Sequence, residues 1–210
     1  MVPRTLLSSL VAAIAVVALV AGPAAAHDRD GKHRSHHGKH SWHGKHYDGK
    51  HHGKKKYGAT TLKLDAGAVA ALTSLGVTAA PIEPAKALAA DELAFPITNS
   101  FKRALRSGVI EHSGGISLTA GDTVVELTDF EIDVAEEVLT AQVGDARVPI
   151  LDLDFSTARI SWSRGGLSVG PVGATLTGVA AGALNAAFGV TAFTEGLKLG
   201  DATVNYKRHW

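Results

Sequence analysis

Histidine supplies most of the chemistry this chain can offer, and it is concentrated at one end. Nine of the eleven histidines fall between residues 27 and 58, in the run HDRDGKHRSHHGKHSWHGKHYDGKHHGKKKYG. Neutral imidazole is the commonest protein ligand for Zn, Cu and Ni. His36, His37, His40, His43 and His46 place five such rings within eleven residues. With His33, His51 and His52 they form the candidate metal-ligand set. Binding of this kind needs deprotonated rings and is expected to fail below about pH 6. The interspersed lysines oppose cation binding. Together with Trp42, Tyr47 and Tyr57 they equally suit anionic partners, such as haem propionates or cell-wall polymers.

This segment has no aliphatic residue, so it has nothing to bury that would offset the entropy of ordering its backbone. A disordered tail is expected over 27–58. Inside it the unit Gly-Lys-His recurs at Gly31, Gly38, Gly44 and Gly49 with a drifting period, too irregular for a packed repeat. Ahead of it, Arg4, the apolar run Leu6 to Val20 and Ala24-Ala25-Ala26 follow the plan of a secretory signal peptide over 1–26, with cleavage before His27. The apolar run is shorter than the roughly 20 residues a bilayer requires, and the mature chain has no other candidate span. A secreted or cell-wall-associated address follows.

The net charge of +1 conceals two opposed segments. Residues 27–58 carry nine Lys and Arg against three Asp, a net of +6, whereas 59–210 carry eleven against seventeen acids, a net of −6. The chain has no cysteine, which removes disulfides, thiolate metal sites and thiol nucleophiles. The basic segment could attract nucleic acid, but an exported address argues against that partner.

The elements that must carry this segment lie in 59–210, where the texture becomes that of one β-rich domain. Thr61 to Leu64 predicts a strand, followed by a helix from Ala66 to Leu75 with Asp65 as cap and Gly76 as stop. Residues 77–93 are rich in Pro and Ala and carry little periodic signal. Beyond Phe95 short alternating runs are separated by turn residues, as in antiparallel sheet. Val109-Ile110-Glu111-His112 stops at Ser113-Gly114-Gly115, Phe130, Ile132 and Val134 alternate with acids, and Leu151, Leu153 and Phe155 do the same. Thr177 caps a second helix, Val179 to Phe188, stopped by Gly189, and a further helical turn is expected at Ala192 to Gly196. Both helices leave through Gly-Val-Thr-Ala, an internal echo. The predicted fold is mainly β: an antiparallel β-sandwich or flattened barrel with two short alanine-rich helices.

Other constellations are weaker. Gly166-Leu167-Ser168-Val169-Gly170 matches G-x-S-x-G with Asp201 and His209 after it, but Pro171 and a further strand follow where that motif requires a helix. No enzyme is predicted. Asp129, Glu131 and Asp133, like Asp152 and Asp154, read as the solvated face of a half-exposed sheet. His112 reads as a polar strand end beside the Gly-Gly turn.

From Gly108 to Tyr206 the chain resembles the later two-thirds of an HtaA-type domain, found in secreted and surface proteins of actinobacteria. The matching stretches are GVIEHSGGISL at 108–118, VVELTDFEID at 124–133, VLTAQV at 138–143, VPILDLDF at 148–155 and GATLT at 173–177. The resemblance implies haem binding through an early tyrosine and a histidine. His112 matches the histidine and becomes a candidate haem ligand, while Ala104 stands about where the tyrosine falls. The sequence therefore predicts a secreted, non-enzymatic binding protein, its tail taking Zn, Cu, Ni or haem and its domain serving as scaffold. The alternative is a cell-envelope module adhering to anionic wall polymers or to a protein partner.

Overall fold

A computed structural model describes residues 57–207. The leader expected over 1–26 and the histidine-rich segment as far as residue 56 lie outside the described residues, as do 208–210. The chain runs β1 (Gly58–Leu64), α1 (Ala66–Ser74), β2 (Thr78–Ile82), β3 (Lys86–Ala89), β4 (Glu92–Ile97), α2 (Phe101–Ser107), β5 (Val109–Glu111) and β6 (Gly115–Ala120). It continues through β7 (Thr123–Asp133), β8 (Val138–Val143), β9 (Ala146–Asp154), β10 (Arg159–Ser163), β11 (Gly166–Leu176), α3 (Gly178–Phe188) and β12 (Lys198–Lys207). β1 takes up Gly58, opposite both Ile97 and Tyr206, so the sheet begins one residue ahead of the expected domain start.

All strand pairs are antiparallel, in the order β2-β6-β7-β8-β9-β11-β12-β1-β4-β3, with β10 on β11 and β5 on β7. The fold is a nearly closed barrel, and its seam runs between β4 and β7. At one end, consecutive strands β2 and β3 join the two flanks through the 83–85 turn, where Ala85 N–H donates to Ile82 O at 3.0 Å. At the other end β5 pairs with β7, and an Ile97–His112 bridge ties it to β4. Thr98 N–H to Glu111 O (2.9 Å) and Ser113 N–H to Pro96 O (3.1 Å) complete that join. Closure removes most of the open edge that a flat sheet would present.

Two bulges reconcile the apolar pattern with one continuous interior. Along β7, Val125 and Leu127 face inward at odd positions, then Phe130 and Ile132 at even ones. The register shift between Thr128 and Glu131 inserts the extra residue that changes parity. Asp129 occupies it with φ 47, and Arg147 Nη1 donates to its carbonyl at 3.0 Å. Along β11, Leu167 and Val169 give way to Val172, Ala174 and Leu176 through a shift at Gly170-Pro171. A bulge tolerates Pro171, which has no N–H for the ladder.

The helices differ from the expectation in number. α1 and α3 form where their caps predict: Asp65 accepts from Gly67 N–H, and Gly189 adopts φ 66. A third helix, α2, is capped by Ser100 and closed by Gly108 at φ 74. Its seven residues are too few for a periodic stripe, so only these two end residues announce it. Residues 77–93, expected as connection, form β2, β3 and the start of β4. Their alternation is hidden because β2 and β3 are largely exposed and Ala-rich. No helical turn forms at 192–196. Asn185 instead accepts from Phe193 N–H (3.0 Å) and donates to Phe193 O (2.7 Å), and a single turn follows in which Leu197 N–H donates to Thr194 O at 3.2 Å. The internal echo survives as placement: β1 and β11 flank β12, and each leads into a helix.

Thr177 illustrates how local and tertiary terms combine. Its buried hydroxyl accepts from Ala180 N–H at 3.1 Å and donates to Pro149 O at 2.8 Å, fixing α3 on β9. Thr177→Ala removes a cap and leaves a buried carbonyl weakened, so a loss of about 1–2 kcal/mol is expected in urea denaturation. An unchanged midpoint would show that the cap is replaced by other contacts. Among the described residues no helix is long and apolar enough to cross a membrane.

Candidate functional site

An aromatic groove opens where the first strand, the last strand and α2 meet. Phe101, at the first turn of α2, is fixed by the Ser100 cap that starts the helix. Its ring stands edge-on to Trp162 of β10 (centroids 5.8 Å, 81°) and to Tyr206 of β12 (5.4 Å, 61°). Tyr57 also lines the groove, and Lys102 and Lys207 stand exposed on its rim. Its volume of about 440 Å³ lies within the roughly 300–1,000 Å³ typical of small-molecule sites. Trp162 remains 69% exposed, an unusual position for so large an apolar side chain. Ile160 shares its face of β10, and Leu105 lies one turn after Phe101; both are exposed as well. Such a cluster marks a surface built for contact.

Buried polar groups hold the groove's floor. Tyr206 Oη donates to Asn99 Oδ1 at 3.3 Å, and the same oxygen accepts from Glu111 N–H at 3.3 Å. Asn99 Nδ2 donates to Val109 O at 2.8 Å. Asn99 thereby joins the α2 approach, β5 and β12 in one network. Burial, with Glu111 nearby, pushes the Tyr206 hydroxyl up to about 12, so the phenolate form is strongly disfavoured. Neither Asn99 nor Tyr206 stands out in the sequence, because a lone Asn ahead of a Ser and a Tyr in an alternating strand are both commonplace.

His112 lies inside the barrel, not at a polar strand end. Nδ1 is 3.1 Å from Phe130 O and Nε2 is 2.7 Å from Thr60 Oγ1, with all three groups enclosed. A carbonyl only accepts, so Nδ1 carries the proton; Nε2 then accepts from the Thr60 hydroxyl. Burial is the main cause of a pKa lowered from 6.5 to about 4, partly offset by the Phe130 and Ile110 carbonyls. The ring is therefore a neutral strut between β1 and β7 across the seam. Neither ring nitrogen is available to haem iron, and the adjoining cavity of about 120 Å³ is well below what a macrocycle needs. The described interior does not fit haem.

The groove fits a planar aromatic ligand better, with ring faces to stack on and lysines for carboxylates. Two phenols line it, Tyr57 and Tyr206, the latter held as a donor to Asn99, and Ala104, where the resemblance puts the ligand tyrosine, is buried and apolar. Of the remaining sequence candidates, His33, His36, His37, His40, His43, His46, His51 and His52 lie outside the described residues. Ser168 sits within β11 opposite Ser161 and Asn205, eight residues before the Leu176 end of the strand, and not at a strand-to-helix elbow. Asp201 pairs with Lys198 at 3.1 Å, and His209 is outside the described residues. Asp152 and Asp154 are exposed, and Asp154 accepts from Ser156 N–H at 2.8 Å. Among the described residues no three His, Asp or Glu side chains converge as a metal site. No protein-family model matches this chain, and no curated protein matches it.

Proposed function

We propose that this is a secreted, non-enzymatic binding protein whose histidine-rich segment captures transition-metal ions or haem, with the barrel as its scaffold. The observation that carries this reading is the position of the junction. The basic, histidine-bearing segment enters the barrel at Tyr57, and Tyr57 itself lines the aromatic groove. The groove offers aromatic rings to a planar ligand and the lysines of its rim to carboxylates, and the eight histidines offer imidazole to metal ions or haem iron. The resemblance to HtaA-type domains supports the haem half of this reading, and the density of imidazoles supports the metal half. Affinity would come from many weak contacts raised by effective concentration.

Titration of haemin, Zn²⁺, Cu²⁺ and Ni²⁺ into the full chain tests it, with two variants beside it. The first replaces His33, His36, His37, His40, His43, His46, His51 and His52 together by Gln; the second is Trp162→Ala. Metal affinity is expected to fall at least about 100-fold in the first variant and to stay unchanged in the second. Haemin affinity is expected to fall in both. Metal binding by the unsubstituted chain should vanish as pH drops through about 6, when imidazole protonates. Undiminished metal binding by the glutamine variant would end this reading.

The opposed charges, +6 over 27–58 and −6 over 59–210, favour one further reading. In it, the basic segment adheres to anionic wall polymers or an envelope protein. Such adhesion weakens steeply with ionic strength, whereas imidazole–metal binding responds to pH and chelator.

A further inference from the structure

Positive charge and exposed apolar surface coincide at one end of the barrel. The stretches 98–110, 156–171 and 202–207 hold six Lys or Arg and no acid, whereas the other described residues hold four against seventeen acids. Ring contacts bring the three stretches together, with Phe101 of α2 meeting both Trp162 of β10 and Tyr206 of β12. Lys102, Arg103, Arg106, Arg159, Arg164 and Lys207 are all exposed, so an acidic domain carries one basic end. Arg103 is engaged with Glu111 at 3.2 Å, and the other five remain available to an anionic partner.

The three most exposed large apolar side chains among the described residues stand at this same end: Leu105 (70%), Trp162 (69%) and Ile160 (68%). Ile160 and Trp162 alternate with Arg159, Ser161 and Ser163 along β10, which pairs with β11 alone. A soluble polyanion would use the charges and gain nothing from a protruding indole and two aliphatic side chains. An uncharged partner would use the apolar groups and leave the charges idle. Both are used at the headgroup boundary of a bilayer, where indole settles and anionic lipid attracts Lys and Arg. We propose that this end of the barrel docks on an anionic phospholipid surface, with Trp162, Ile160 and Leu105 entering the headgroup region and the basic side chains meeting lipid phosphates. The attachment is peripheral, and it is independent of metal or haem capture by the histidine-rich segment.

The test uses the full chain with Trp42→Phe and Trp210→Phe, which leaves Trp162 as its single indole, free of metal and haemin. Vesicles of phosphatidylglycerol and phosphatidylcholine in equal parts are expected to shift its emission to the blue, and bromine on the acyl chains to quench it. Vesicles of phosphatidylcholine alone are expected to do neither. In Lys102→Gln/Arg106→Gln/Arg159→Gln/Arg164→Gln, affinity for the anionic vesicles should fall about fivefold for each charge removed. In Leu105→Ser/Ile160→Ser it should fall at least about tenfold. The basic histidine-rich segment supplies its own attraction to anionic lipid, so vesicle binding that leaves Trp162 unshifted and unquenched would overturn the proposal. A Trp162 response to soluble polyglutamate and not to vesicles would assign this end to an acidic peptide and overturn it as well. If the charge or apolar variants do not fold, the quenching by brominated lipid decides alone.

Discussion

Replacing His112 by Phe is expected to reverse the stability ranking of variant and unsubstituted chain between pH 7 and pH 4. At neutral pH the variant should be less stable by about 1–3 kcal/mol, because the Thr60 hydroxyl loses its buried acceptor. On acidification the unfolded chain protonates this imidazole below 6.5, whereas the folded chain does so only below about 4. Unfolding therefore takes up a proton across that window, and the stability contributed by the neutral ring is complete above 6.5 and declines as pH falls towards 4. The separation corresponds to about 3 kcal/mol at pH 4. The phenylalanine variant has no such group and keeps its stability apart from carboxylate titration common to both chains. Urea denaturation at pH 7, 5.5 and 4 reads the difference directly. A gap between the two chains that stays constant with pH would show that His112 is not the buried neutral strut described here.

That outcome bears on what a sequence of this kind discloses. The strands after Phe95 are legible because a half-buried sheet imposes strict alternation, and the caps Asp65 and Thr177 mark their helices because few residues satisfy the first turn as well. The barrel's closure is not legible. It depends on β5, a strand of three residues, and on a single bridge between Ile97 and His112, too short a stretch to carry a pattern. The β7 and β11 bulges look in the sequence like strand ends, since a change of parity and a turn produce the same break in alternation. His112 reads as a polar strand end because Gly114 and Gly115 follow it; both glycines are buried and mark crowding instead. Phe101, Trp162 and Tyr206 come from three separate elements, and nothing in linear spacing joins them. The histidine-rich segment is the reverse case: its candidate chemistry is read from composition alone, and up to residue 56 it lies outside the described residues.

Crowding at the seam leads to the second large effect. Gly115 opens β6 between Ile82 of β2 and Thr128 of β7. A Cβ there would lie 2.1 Å from Leu127 O, a backbone atom that cannot turn aside. Its neighbour Gly114 has φ +81, a conformation that side chains disfavour, and a Cβ on it would meet Ala85 N at 2.6 Å. Gly114 O also accepts from Asp129 N–H at 2.9 Å, so this point is tied to the β7 bulge as well. Gly115→Ala must therefore push β6 off β7 at the place where the flap formed by β2 and β6 is joined to the barrel. A loss of about 3 kcal/mol or more is expected, at the upper end for overpacking. Gly182→Ala provides the contrast. That position lies in α3 with nothing within 4 Å of the added atom, and alanine there should stabilise by about 0.5–1 kcal/mol through helix propensity. The two substitutions add the same methyl group, so opposite shifts in the urea midpoint would separate a steric requirement at the seam from a general intolerance of glycine replacement. Equal, small shifts would mean that β6 can slide away from Leu127 at little cost, and that the seam is looser than the hydrogen bonds across it imply.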